Sequence, residues 1–182
     1  MNGSVHAGRR SNSTREKLVR SFVELVLSRG YEHLTPGDVA ARAGVGRSTL
    51  YTHFAGLPRI LEASLDRQCV KLAASILSGT SAGELVPLLR HFHSQRHHNA
   101  VFFRDPIRSL WSGCLARAIA AKLRKTTNSH PRHSSIPREM LAPVLAELQL
   151  AIIFRWLTEA PSLSAEAVAL ALTASAQRII SH

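Results

Sequence analysis

Apolar positions along this chain recur three and four residues apart almost everywhere, the spacing of one face of an α-helix. No stretch alternates apolar and polar residues convincingly, and Ala and Leu dominate where strands need Val, Ile and Thr. The pattern predicts an all-α protein of about nine helices. Leu18, Phe22 and Leu25 form one stripe of the first, with Val19, Val23 and Val26 beside it. Ser13-Thr14-Arg15-Glu16 reads as the capping box that opens it, and Gly30 as the residue that stops it. Thr35 is expected to cap a short second helix ending near Gly44, with Pro36 first in it, where a missing N–H costs nothing. A third helix is expected from about Gly46 to Phe54, and a long fourth from Leu57 to about Ser78. Ser81-Ala82-Gly83-Glu84 is another capping box; its helix should reach about Gln95, with Pro87 kinking or resetting it. Asp105-Pro106 reads as the cap and first residue of a helix reaching Lys125. The polar stretch 126–136 predicts a loop, and two further helices are expected at about 138–160 and 164–180.

The stretch from Pro36 to Phe54 carries the functional signal. Val39, Ala40 and Ala43 share one face of the second helix, and Leu50 and Phe54 one face of the third. Ala40 is small enough to let the two helices cross closely, and Gly44 supplies a left-handed turn that other residues adopt at a steric cost. Val45 is expected to plug the small core beneath that turn. Two helices joined steeply by a short glycine turn make a helix-turn-helix. With Leu50 and Phe54 inward, Arg47, Ser48, Thr49, Tyr51, Thr52 and His53 remain towards solvent. Such a face suits base edges and phosphates in a major groove. The residues alone also fit an ordinary solvated helix pair.

The run from Leu34 through Leu61, LTPGDVAARAGVGRSTLYTHFAGLPRIL, closely resembles the signature of the TetR (tetracycline-repressor-like) family of transcriptional regulators. Arg29 to Tyr31 and the block from Gly46 to Phe54 are its most specific pieces, and Ile152 to Leu172 looks like the last two helices of many members. The resemblance implies a three-helix DNA-binding domain followed by a divergent helical regulatory domain. On this chain it implies a flexible basic arm at 1–12, a helix-turn-helix domain at 13–56, and a ligand-binding and dimerisation domain at 57–182. It further implies that Thr35 holds a phosphate, that Arg47, Ser48, Thr49 and Thr52 face bases, and that Tyr51 and His53 hold phosphates or nearby edges. Two positions depart from the family pattern. Leu57 stands where a lysine is common, with Arg59 as a candidate replacement, and Gly37 stands where a DNA-contacting side chain is sometimes found.

The resemblance also implies a homodimer on a palindromic double-stranded DNA operator, and a pocket for a small inducer. Small residues of the last helix (Ala165, Ala167, Ala169, Ala171, Ala174, Ser175 and Ala176) and apolar residues of the one before it (Leu141, Leu145, Leu148, Ile152) fit a four-helix dimer interface. Phe92, Phe103, Trp111 and Phe154 are candidate ligand contacts, although aromatic residues at helical spacing are core by default. Between Leu85 and Arg138 the only acidic residue is Asp105, against ten Lys and Arg. That balance favours a neutral lipophilic or anionic ligand over a cationic one.

Composition narrows the picture further. The 182 residues are 45% hydrophobic and 19% charged, enough to build a core and unlike a disordered tail. The formal charge is +11, which favours a polyanionic partner, but the excess is spread over both halves and locates no surface. Cys69 and Cys114 have no CxxC spacing and read as reduced thiols. No run approaches about 18 uninterrupted apolar residues, and the first dozen lack a signal-peptide core, so the expected location is the cytoplasm with no membrane partner. GxSxG, HExxH, P-loop and GxGxxG motifs are lacking, so no enzyme activity and no cofactor are expected. The expected function is a repressor released from its operator by a small ligand, with two alternatives. One is a DNA-binding regulator with no small-molecule inducer. The other is a metal-responsive regulator through His91, His93, His97 and His98, since His93 and His97 could grip a metal from one continuous helix.

Overall fold

The computed structural model describes residues 3–78, 82–125 and 136–181, whose regular elements are all helical. Helix α1 (Gly3–Arg29) buries Leu18, Phe22, Leu25 and Val26, the stripe that the spacing predicts. Its start differs from the expectation. Ser13 to Glu16 lie inside the helix, and the segment expected to be a flexible arm is already helical from Gly3. A capping box ends a helix only where the chain before it leaves helical geometry, and no proline between Gly3 and Asn12 forces that departure. Gly30 closes α1 at φ 80°, a region that side chains disfavour.

A 3-10 turn (Tyr31–His33) leads to α2 (Pro36–Arg42), α3 (Arg47–His53) and α4 (Leu57–Ser78). The chain forms two compact units, Met1–Ser64 and Leu65–His182, so α4 begins in the first and continues in the second. Leu18, Phe22, Val39, Leu50, Ile60 and Leu61 are fully buried at the centre of the first unit. Phe22 meets the Tyr31 ring edge-on at 6.1 Å, and burial raises the Tyr31 phenol above its ordinary pKa. Arg42 binds one Glu24 carboxylate oxygen through Nε at 3.0 Å and Nη2 at 2.8 Å, tying α2 to α1 on the surface.

The second unit adds α5 (Ala82–Ser94), α6 (Arg96–Asn99), a 3-10 turn (Ala100–Phe103), α7 (Ile107–Lys125), α8 (Arg138–Thr158) and α9 (Ala165–Ser181). Pro87 sits inside α5 without ending it. Asp105, joined to Pro106 by a cis bond, accepts the Ser109 N–H at 3.2 Å and so serves the first turn of α7. Ser81 of the second capping box, and residues 126–135 of the expected loop, lie outside the described residues. Helix α8 packs between α7 and α9, and α5 packs on α9. By length and mean hydropathy (1.6) α8 could cross a membrane, but half of that window is buried inside the protein. Leu145, Ala146, Gln149, Leu150 and Ile153 have no exposure at all, so α8 is the core helix of its unit.

Candidate functional site

The α2–α3 pair is built by local rules that act on a few side chains. The Thr35 hydroxyl accepts the Asp38 N–H at 3.2 Å and donates to Asp38 Oδ2 at 2.5 Å, while the Thr35 N–H donates to the same oxygen at 2.8 Å. This reciprocal cap fixes the entry of α2. It also holds the Asp38 carboxyl below its ordinary pKa, chiefly through the Thr35 hydroxyl. Gly44 takes the turn at φ 68°, as its left-handed role requires, and the Val45 N–H closes it on the Ala40 carbonyl at 3.0 Å. Val45 itself is only half-buried, so the turn is held by its backbone rather than by a plug. Leu50 (0% exposed) and Phe54 (4%) anchor α3 from within, and Arg15 of α1 lies over the Phe54 ring at 5.0 Å.

That anchoring decides what α3 shows to solvent. Arg47, Ser48, Tyr51 and Thr52 are exposed, and Thr49 and His53 are half-exposed. Tyr51 is 57% exposed, a large aromatic with no place in the core. The Thr52 hydroxyl donates to the Ser48 carbonyl at 3.0 Å, so Thr52 offers its methyl group and an oxygen lone pair outward. The Arg47 guanidinium lies over the backbone of Gly37, where Nη2 would be 2.7 Å from an added Cβ. Sequence reasoning noticed Gly37 only as a departure and did not foresee that Arg47 fills the space. Thr35 is exposed, with its hydroxyl engaged in the cap. Arg59, the candidate replacement for the missing lysine, binds Glu62 at 2.6 Å.

In the second unit, Phe92, Phe103, Trp111 and Phe154 come together in one cluster. Phe103 is its hub, with ring centroids 4.6 Å from Trp111, 6.2 Å from Phe154 and 6.4 Å from Phe92. Phe92, Phe103 and Trp111 are buried, and Phe154 is half-buried. The Trp111 indole N–H makes no conventional hydrogen bond but faces the Cys69 sulfur, a weak acceptor. Burial pushes the Cys69 thiol up to about 12, so it stays protonated. A cleft of about 580 Å³ lies elsewhere, between α7 and α8, with Ala116, Ala120, Leu123 and Leu141 on its walls and Arg117, Arg124 and Arg138 around it. Helical periodicity does not encode a cleft formed between two helices.

The histidines do not form the pair that the metal-responsive alternative needs. Helix α5 ends at Ser94, so His93 and His97 do not share a continuous helix. His93 instead stacks on Trp156 at 5.2 Å, with Nε2 2.8 Å from the Pro161 carbonyl. No group of three potential metal ligands is found among the described residues, and the side chain of His98 lies outside them.

Residues 22–63 match the family model of bacterial regulatory proteins, tetR family. No curated protein sequence matches the chain. Among solved structures, a TetR transcriptional regulator from Streptococcus agalactiae is 22% identical with a TM-score of 0.56, over 96% of this chain and 99% of its own. One from Rhodococcus sp. RHA1 is 17% identical with a TM-score of 0.56, over 93% and 97%. The Thermus thermophilus repressor FadR, solved with lauroyl-CoA, is 18% identical with a TM-score of 0.54, over 91% and 94%. These likenesses establish a shared fold; the matched segment spans α2 and α3 entire.

Proposed function

Because the chain belongs to the TetR family of DNA-binding transcriptional regulators, we propose that it is a cytoplasmic repressor, bound as a homodimer to a palindromic operator and released by a small anionic lipophilic ligand. The single observation that carries the DNA-reading part is the outward face of α3, held rigidly by Leu50 and Phe54. Arg47 has the fork that matches the two acceptors of guanine, and the Thr52 methyl suits the methyl of thymine. Ser48 and Thr49 reach neighbouring edges, while Tyr51 and His53 hold phosphates that set the register. Thr35 contributes by capping α2 and presenting its N-terminal turn to the backbone of the duplex. The domain division follows from these roles, with DNA reading up to residue 56 and ligand binding with dimerisation from residue 57.

Two features support the rest of the reading. Met140, Val144, Leu148 and Ala151 leave an apolar stripe open on α8, and Ala167, Leu170, Ala171 and Ala174 leave one on α9. Leu141, Leu145, Ala165, Ala169 and Ala176, expected in that interface, are instead buried in the subunit's own core. Two-fold DNA sites call for a two-fold protein. For the ligand, the α7–α8 cleft joins apolar walls to three guanidinium groups with one carboxylate, Glu139, among them. That chemistry suits an acyl chain ending in a carboxylate or phosphate, and the FadR structure holds an acyl-CoA in a protein of similar fold.

The test has two stages. Selection from a random duplex pool should enrich an inverted repeat; an asymmetric or absent motif would defeat the dimeric-reader reading. Palmitate and decyl phosphate should then dissociate the selected duplex, and Arg138→Glu should abolish the response without altering DNA affinity. Release that survives Arg138→Glu would move the ligand away from the cleft. No release by any lipophilic anion would favour a regulator governed by abundance or by a protein partner.

A further inference from the structure

Position 37 is a glycine for which the backbone gives no reason. It lies in the first turn of α2, between Pro36 and Asp38, and its φ is outside the left-handed region that glycine alone favours. Alanine is the better helix former there. Space explains the glycine where backbone does not. A Cβ at position 37 would stand 2.7 Å from Arg47 Nη2, 2.9 Å from Nε and 3.1 Å from Cζ, well inside the ordinary contact distance of about 3.5–4.0 Å. All three atoms belong to the one guanidinium, so its flat face rests where a side chain would begin.

We propose that Gly37 is a specificity-determining positioning residue: it opens a notch on α2 in which the Arg47 fork is held for base reading. The inference rests on the base-reading role assigned to Arg47 above. An arginine at a helix start otherwise sweeps several rotamers, and its discrimination depends on presenting two N–H donors together. The notch restricts that sweep by offering one flat resting surface, and the Asp38 carboxylate lies near enough to attract the guanidinium electrostatically. A methyl group at position 37 fills the notch. It leaves the helix, the cap and the core unchanged and displaces only the far end of one long side chain.

The experiment uses the full chain and the duplex recovered by selection, together with duplexes differing from it at single base pairs. Wild type, Gly37→Ala, Arg47→Ala and the double variant are compared for affinity on each duplex and for melting temperature. Gly37→Ala is expected to melt no lower than wild type yet lose discrimination severalfold at one base pair in each half-site. That is less than the roughly fivefold to hundredfold loss expected for Arg47→Ala. In the Arg47→Ala background the same change should have no effect on discrimination. A Gly37→Ala effect of equal size with and without Arg47 would overturn the inference, as would none at all while Arg47→Ala remains costly. If Arg47→Ala discriminates as wild type does, the base-reading assignment falls as well, and the two failures are told apart.

Discussion

Replacing Thr35 with alanine removes two of the three hydrogen bonds that close the α2 cap, leaving only the backbone N–H of position 35 on Asp38. The Asp38 amide then keeps only the Thr35 carbonyl, at 3.1 Å, as its acceptor. Loss of such a cap costs about 0.5–2 kcal/mol, typically near 1. For a chain of this length, about 1 kcal/mol corresponds to a fall of roughly 2–4 °C in melting temperature. Thr35→Ser keeps the hydroxyl and should stay within about 0.5 kcal/mol of wild type. Acid gives an independent check on the same atoms. The Asp38 carboxyl is held below its ordinary pKa mainly by the Thr35 hydroxyl, so the folded state prefers it ionised. The stabilisation it brings is fully present above the ordinary aspartate range and is lost as pH falls through the lowered folded value. The gap between wild type and Thr35→Ala should therefore narrow on acidification. Thermal melts of the three proteins from neutral pH down through the carboxylate range measure both effects. A Thr35→Ser variant as unstable as Thr35→Ala, or a gap that widens in acid, would refute this account of the cap.

Other outcomes follow from the second unit. Ala174→Leu, on the exposed face of α9, should weaken the homodimer, and light scattering over a dilution series should show a raised monomer fraction. Phe103→Ala empties the hub of the aromatic cluster and should cost about 3–5 kcal/mol, read as a lower denaturant midpoint with unchanged slope. If the α7–α8 cleft holds the ligand, that variant should still bind decyl phosphate under conditions where it remains folded. Binding at a hundredfold excess over Kd should raise wild-type stability by about 2.7 kcal/mol.

Much of this was legible from side-chain spacing because spacing and burial are the same fact seen twice. Leu18, Phe22, Leu25, Leu50 and Phe54 are buried as the helical period requires, and Gly44 has the positive φ that its place between two helices demands. The failures lie where a local motif competes with its surroundings. Ser13 to Glu16 has the composition of a cap but lies in mid-helix, because nothing upstream breaks α1. The histidine run is not such a case: the helix expected to stop near Gln95 does end at Ser94, which separates His93 from His97. Through-space relations left the weakest trace. The Arg47 guanidinium over Gly37 joins residues ten apart across a turn, and the α7–α8 cleft joins helix ends whose alignment no periodicity encodes. The four aromatic candidates come together in one cluster, as side chains of that size at helical spacing should.

Whether the outward face of α3 reads DNA sequence is decided by one titration series. Wild type, Arg47→Ala and Tyr51→Phe are titrated against the selected duplex and a scrambled one, at about 50 and 200 mM salt. Wild-type affinity should fall on the order of a thousandfold across that range, as it does for a protein that neutralises about 6–10 phosphates. Arg47→Ala should lose about 1–3 kcal/mol on the selected duplex and little on the scrambled one. Tyr51→Phe should weaken both alike, because a phosphate contact carries no sequence information. Unchanged binding by both variants on both duplexes would contradict the assignment of α3 as the reading helix.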